Sequence, residues 1–295
     1  MNKISVVLMV YNRNEYYREA LDSLKAQSDK DFELVIVTNI EIDYDLSAFK
    51  EVNIIPAPAA SHEEYVVGRS PSNLLESYSA GMEAAKNNIV AFLDDDDKFV
   101  SYKISFLRSS NIAGYYHNNY YDFGSKEPHN TGKGFNCSCI AVNKSAYNGI
   151  LPIAKDYPLL KGDSSIYWYA LEHNLPVIID DTKLTYYRHK SLKKMYSNLL
   201  DSLNRQMSAL GEAEKAFKSD EVKDIIREGK IQNQLYLNTL GHYRHIPFPD
   251  MLWLMKRPVI SKGKKLMSYV LSFPVWHGIG LKLMANFRAT KEVEK

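Results

Sequence analysis

An apolar run that stops in four consecutive aspartates, Val90-Ala91-Phe92-Leu93-Asp94-Asp95-Asp96-Asp97, constrains this chain more than any other stretch. Its first residues read as a buried strand, and four carboxylates cannot continue inside a sheet. The chain must therefore leave the sheet near Asp94 and concentrate negative charge at a strand's carboxyl end. Like charges in one short turn repel, and a bound cation relieves that repulsion better than water does. Oxygen donors suit hard ions such as Mg2+, Mn2+ or Ca2+ rather than Zn2+. An acidic turn after a buried strand is also a common solvated feature, so its meaning depends on what else reaches the same rim.

The residues before it alternate strand and helix signals, the pattern of an α/β sheet with helices packed on it. Ile4 to Val10 is β-branched and apolar, Arg13 to Gln27 has helical spacing through Tyr16, Tyr17, Ala20, Leu21 and Leu24, and Phe32 to Val37 reads as a second strand. Val52 to Ile55 reads as a third, and helical periodicity returns through Leu74, Leu75, Tyr78 and Met82. Ligands of open α/β sheets bind beyond the carboxyl ends of strands. Tyr11 to Arg13, Thr38 to Asn39 and Asp94 to Asp97 all fall at such ends.

The middle, Ser101 to Arg188, is less regular and rich in tyrosine, glycine and asparagine. Phe135 to Val142 and Val177 to Ile179 read as strands, and Ser164 to His173 as a helix entered through the turn Lys161-Gly162-Asp163. Beyond Lys190 the apolar residues follow helical spacing from Leu192 to Leu210, where Gly211 interrupts the pattern. Ser219-Asp220 then caps a further helix through Ile225, Ile226 and Leu235. The expected organisation is an α/β domain over 1–190 and a helical, basic extension over 191–295.

With 45% apolar and 24% charged residues in 295, the chain has the composition of an ordinary folded protein. Its two cysteines, Cys137 and Cys139, are too few for a disulfide framework or a closed zinc site. Their spacing puts both on one strand face, as packing residues in a reducing compartment. No run approaches the ~18 apolar residues of a membrane span, and the N-terminus enters a strand pattern directly, so a cytoplasmic location is expected. The net charge of +2 hides an asymmetry: Met251 to Lys295 carries +7 and the remainder −5. That tail interleaves lysines with Trp253, Phe273, Trp276 and Phe287. It suits an anionic membrane surface on the inner face of the cell membrane, or a helical subdomain whose lysines are merely solvated. No nucleic-acid-binding module accompanies it.

Four segments in order make the chain resemble glycosyltransferase family 2, the inverting GT-A-type enzymes. They are Ile4-Ser5-Val6-Val7-Leu8-Met9-Val10-Tyr11-Asn12-Arg13; Gln27 with Phe32 to Val37; Phe92 to Asp97; and Gly162-Asp163 followed by Leu184-Thr185-Tyr186-Tyr187-Arg188. The resemblance implies an α/β, Rossmann-like mixed sheet flanked by helices. It also implies transfer of a sugar from a nucleotide-diphosphate donor, of UDP or GDP type, to a glycan or polyprenyl-linked acceptor, with Mn2+ or Mg2+ as cofactor. By the same resemblance Tyr11 lies against the nucleobase, Arg13 reaches phosphate, Asp94 lies near the ribose, Asp95 and Asp97 support it, and Asp96 contacts the metal. Asp163 is the expected general base, because a carboxylate must take the acceptor's proton as that oxygen displaces the leaving diphosphate. Trp168 is a candidate wall for the acceptor sugar, and His189 a candidate metal ligand one position earlier than in many relatives.

The departures from the family pattern are specific. Thr38-Asn39 stands where base-reading aspartates are usual; Asn39 can bond a base edge without selecting one base. Tyr78-Ser79 stands where Arg-Asn is common, leaving Arg69 as a candidate for the missing positive charge. Gly162 stands where a Glu precedes the base, and Met9-Val10 where Pro-Thr is common. These departures keep open an inert donor-binding or membrane scaffold of the same fold. A sugar-1-phosphate nucleotidyltransferase is the other alternative, although Tyr11-Asn12-Arg13-Asn14 lacks the glycine of a phosphate loop.

Overall fold

The computed structural model describes residues 2–11, 15–58, 74–123, 136–188, 199–239 and 246–255. The chain divides into two compact units, one of residues 1–192 with 215–222, the other of residues 193–214 with 223–295.

The first unit is built on a mixed sheet. Its parallel half contains β1 (Ile4–Val10), β2 (Phe32–Thr38), β3 (Glu51–Pro56) and β4 (Ile89–Asp94), in the order β3-β2-β1-β4. Every residue of β1 and β2 is buried. Their largely apolar runs are what a strand covered on both faces requires, and the polar exceptions Ser5 and Glu33 bond each other at 2.6 Å. Helix α1 (Tyr17–Lys25) buries Tyr17, Ala20, Leu21 and Leu24 at three-four spacing. Helix α2 (Leu74–Ala84) comes close to the sheet at Gly81, where a methyl group would stand 2.8 Å from Val37 Cγ2. Only glycine allows that approach.

After Asp94 the chain forms β5 (Lys98–Phe99), α3 (Lys103–Ser109), β6 (Tyr115–Asp122), a 3-10 turn at Cys137–Cys139, and β7 (Ile140–Asn143). Helices α4 (Ile150–Asp156) and α5 (Gly162–Glu172) then lead to β8 (Val177–Tyr187). Beyond β4 the sheet continues β7-β6-β8-β5, giving eight strands among the described residues. β7 runs antiparallel to β4 and β6, β6 and β8 are parallel, and β5 is antiparallel to β8. This is the expected mixed α/β sheet flanked by helices.

Three local expectations need correction. The tyrosine-rich middle holds the long strand β6, whose Tyr115, Tyr116 and Tyr120 are buried where valine or isoleucine would signal a strand. Cys137 and Cys139 lie in a 3-10 turn rather than on a strand face, because the Asn136 side chain accepts the Ser138 N–H at 2.9 Å and tightens the chain there. Both are buried. The helix α6 (Leu199–Ala216) runs through Gly211 without a break. A methyl at Gly211 would meet nothing within 4 Å, so this glycine costs roughly 1 kcal/mol of propensity and nothing in packing.

The remaining helices are α7 (Asp220–Thr239) and α8 (Phe248–Met255). Ser219 Oγ accepts the Val222 N–H at 3.4 Å at the start of α7. In the second unit Arg227 pairs with Asp250 at 2.5 Å and lies over the Trp253 ring, joining α7 to α8. No helix among the described residues is long and apolar enough to cross a membrane.

Candidate active site

The register levels three strand ends at one rim. Val10 of β1 is opposite Thr38 of β2, and Met9 is opposite Asp94 of β4. Tyr11, the exposed Asn39 and the acidic turn therefore emerge side by side. Arg13, Arg69 and His189 lie outside the described residues, as does the tail beyond Met255.

The four aspartates are not equivalent. Asp95 and Asp97 are 2% and 1% exposed, whereas Asp94 and Asp96 keep part of their surface open. Asp95 Oδ2 accepts the Tyr11 N–H at 3.5 Å, tying the turn to β1. Asp97 accepts the Arg188 N–H at 2.9 Å and the Asn136 side-chain amide at 3.4 Å. Arg188 also donates through Nε to the Asp96 carbonyl at 3.0 Å and through Nη2 to Glu19 at 2.9 Å. Its guanidinium lies 3.6 Å from the centre of the Phe123 ring. The turn is thus held from its buried side; Asp94 and Asp96 stay partly exposed, and Asp94 Oδ1 accepts the hydroxyl of the buried Tyr78.

The charge gathered here is undercompensated. Burial, then the charges of Asp97 and Asp96, push Asp94 well above the usual carboxylate range. Burial and Asp96 push Asp97 up to about 7. Such a turn gains from a cation. Among the described residues no three histidine, cysteine, aspartate or glutamate side chains converge to hold one. A hard ion of the Mg2+ type does not need them, since it is commonly held by one or two carboxylates with phosphate oxygens and water. The turn fits that arrangement through its two partly exposed carboxylates, Asp96 and Asp94, the latter with Oδ1 already bonded to Tyr78.

Behind the turn lies a buried polar network that sequence reasoning missed. Ser138 Oγ accepts the Asp94 N–H at 2.9 Å. Its carbonyl receives Lys103 Nζ at 2.7 Å and Thr185 Oγ1 at 2.8 Å. Lys103 also donates to Thr185 Oγ1 at 3.0 Å, and Asn118 donates to the same oxygen at 3.1 Å. Burial lowers the Lys103 amine to about 7, against the opposing pull of the Cys139 and Asp97 charges. Thr185 lay within a quoted motif segment, but nothing in its type or spacing marked Lys103 as interior.

Asp163 is the second residue of α5, and the N-cap position belongs to Lys161. Its Oδ1 accepts the Ser164 N–H at 2.7 Å, and a carboxylate in a first helical turn meets the positive end of the helix dipole. Asp163 remains partly exposed, yet enough protein encloses its carboxyl that burial raises its pKa. Cys137 connects it to the acidic turn: burial, then the charges of Asp94 and Asp163, push this thiol well up. The two carboxylates thus stand within electrostatic reach of one sulfur atom. Trp168, further along α5, is 7% exposed and meets the Phe217 ring edge-on at 5.9 Å, which commits its indole to the interior.

Residues 5–105 match the family model described as glycosyl transferase family 2. Over that segment the chain is similar to the family. An uncharacterized glycosyltransferase of Nostoc sp. is 29% identical to this chain over 119 residues, 39% of the chain and 36% of that protein. The teichoic acid poly(glycerol phosphate) polymerase of Staphylococcus epidermidis is 27% identical over 106 residues, 36% of the chain and 14% of the polymerase. The chain thus matches about a third or less of these curated relatives. Among solved structures, residues 1–349 of S. aureus TarS in complex with UDP-GlcNAc superpose with a TM-score of 0.54 at 14% identity, covering 94% of this chain and 92% of that one. A longer TarS crystal structure gives 0.52 at 15% identity, over 92% of this chain and 49% of that one. These likenesses establish a shared fold.

Proposed function

We propose that this chain is a family 2 glycosyltransferase that transfers a sugar from a uridine diphosphate donor to a hydroxyl group of a cell-surface glycan or lipid-linked acceptor, inverting the anomeric carbon. The supporting observation is the placement of Asp94, followed by Asp96, at the end of a parallel strand, with Asp94 and Asp163 both within electrostatic reach of the Cys137 sulfur. The uridine assignment draws on the UDP-GlcNAc bound by the TarS structure. The acceptor class draws on the polymerase relative.

In this reading Tyr11 and Asn39 bind the nucleobase and Asp94 the ribose side, with Asp95 fixing Tyr11 through its backbone. Arg13 and Arg69 are proposed to meet the diphosphate. Asp96, with Asp94 and with His189 as a candidate, would hold Mg2+ or Mn2+. That ion, when bound, supplies positive charge against the departing diphosphate. Asp163 accepts the proton of the acceptor hydroxyl as its oxygen attacks opposite the leaving group, which gives inversion in one displacement. Its raised pKa suits a base that must be ionised at neutral pH yet remain basic enough to accept a proton. The committed indole of Trp168 can shape the acceptor side only by supporting α5. The basic tail, 256–295, is proposed to bring the protein to an anionic lipid surface.

The test is thermal shift with UDP, GDP, dTDP and CDP, each with and without Mn2+. Stabilisation by UDP that grows with Mn2+ is expected, and no response to any diphosphate defeats the reading. Asp163→Asn should lower turnover by about 10²–10⁴-fold and leave the UDP shift intact. Retained turnover removes Asp163 as base. Full-length protein that stays in solution with anionic liposomes at low salt removes the membrane assignment.

A further inference from the structure

The two sites where this chain departs most from the family pattern, Tyr78 and Gly162, touch each other. Tyr78 on α2 is 1% exposed, and its ring meets Phe92 of β4 edge-on at 5.3 Å. Its hydroxyl donates to Asp94 Oδ1. The opposite constraint comes from α5, where a methyl added to Gly162 would stand 2.6 Å from Tyr78 Cε2 and 3.4 Å from Cys137 Sγ. Real Cβ atoms do not approach a ring carbon as closely as 2.6 Å, and a ring carbon is not the free end of a flexible chain, whereas 3.4 Å from the sulfur is ordinary contact. One phenol side chain therefore touches both the end of β4, through its hydroxyl, and the first residue of α5, through its ring edge.

A ring used only for packing would leave its hydroxyl without a partner or bonded to backbone. This one ends on the carboxylate assigned to the donor, and its edge rests on the residue immediately before the carboxylate assigned to the acceptor. We propose that Tyr78 is a positioning residue that sets Asp94 for the donor and, through its contact with Gly162, sets the distance from the donor to Asp163. The inference rests on the transferase reading of this site. The hydroxyl and the ring edge then have separable duties. Loss of the hydroxyl frees Asp94 to rotate and weakens donor binding. A side chain at position 162 displaces the first turn of α5 and slows transfer without touching the donor.

The experiment measures UDP affinity by calorimetry and turnover of UDP-GlcNAc for the wild type, Tyr78→Phe, Gly162→Ala and the pair Tyr78→Leu with Gly162→Ala. Tyr78→Phe should weaken UDP binding about tenfold and change kcat by less than about threefold. Gly162→Ala should lower kcat by about 100-fold with UDP affinity nearly unchanged, the size expected for a misplacement of about 1 Å. In the pair, leucine vacates the space the methyl needs, and kcat should recover at least about tenfold over Gly162→Ala alone. If Gly162→Ala does not fold, recovery of a cooperative melt in the pair reads the same contact, and no recovery overturns it. Wild-type affinity in Tyr78→Phe, or wild-type kcat in Gly162→Ala, also overturns the inference and leaves the transferase reading standing. A wild-type chain that binds no nucleoside diphosphate removes both.

Discussion

The two halves of the sheet do different work with different residues. In β3-β2-β1-β4 the central strands are mostly apolar runs, interrupted by the buried, hydrogen-bonded pair Ser5 and Glu33. In β7-β6-β8-β5 the strands carry tyrosine, asparagine and threonine into the interior, and the buried hydrogen bonds behind the acidic turn come from there. The first half specifies where a ligand rim must be. The second decides how the carboxylates on that rim are held.

If that division holds, damage to the parallel half should cost stability, and damage to the mixed half should cost the site. The largest expected loss is Leu8→Ala in β1, where a fully buried side chain leaves a cavity at a cost of about 2–5 kcal/mol. Denaturant titration checks it, and UDP affinity per folded molecule should not move. A smaller loss, about 1–3 kcal/mol, is expected from Ser138→Ala, which strands the Asp94 N–H inside the protein. Here UDP affinity should fall together with stability; unaltered affinity would break the proposed division.

The next effect is one of pH. Lys103 is held at about 7 in the fold against 10.5 unfolded, so between those values the unfolded chain binds more protons and stability rises with pH. Asp97, raised from 3.8 to about 7, acts in the opposite sense below it: the fold binds more protons there, and stability falls as pH rises. Melting curves for the metal-free protein should therefore show a rise between pH about 7 and 9.0, above which the raised Cys137 and Cys139 thiols oppose it, and Lys103→Met should flatten that rise. The smallest effect lies outside the sheet. Gly211→Ala should stabilise α6 by about 0.5–1 kcal/mol with no change in UDP binding, measured by denaturant midpoint.

The same contrast explains what could be read beforehand. The strands Ile4–Val10, Phe32–Thr38 and Ile89–Asp94 were legible because continuous apolar runs admit few other structures. α2 and α5 were legible because their spacing and the turn at Gly162 agree. β6 was hidden because Tyr-Tyr-His-Asn-Asn-Tyr-Tyr has no two-residue alternation of polarity, and its strand character comes from neighbours far away in the chain. Lys103 was hidden for a related reason. Its interior place is set by Ser138 and Thr185, 35 and 82 residues away, and no local pattern records such partners. The aspartates, by contrast, announced themselves by charge alone, though not which two of the four turn inward.

The clamp made by Arg188 has a consequence for the order in which this protein becomes competent. The acidic turn is complete in covalent terms once residue 97 has been made, but its Asp97 carboxylate and Asp96 carbonyl are tied by a residue 91 and 92 positions further on. A nascent chain that has emerged only through the family-matched segment, 5–105, already contains the parallel strands while its carboxylates still lack those ties. Synthesis must proceed through β8 before the turn can settle. A ribosome-stalled series would accordingly display the parallel strands folded earlier than it displays the proposed nucleotide site.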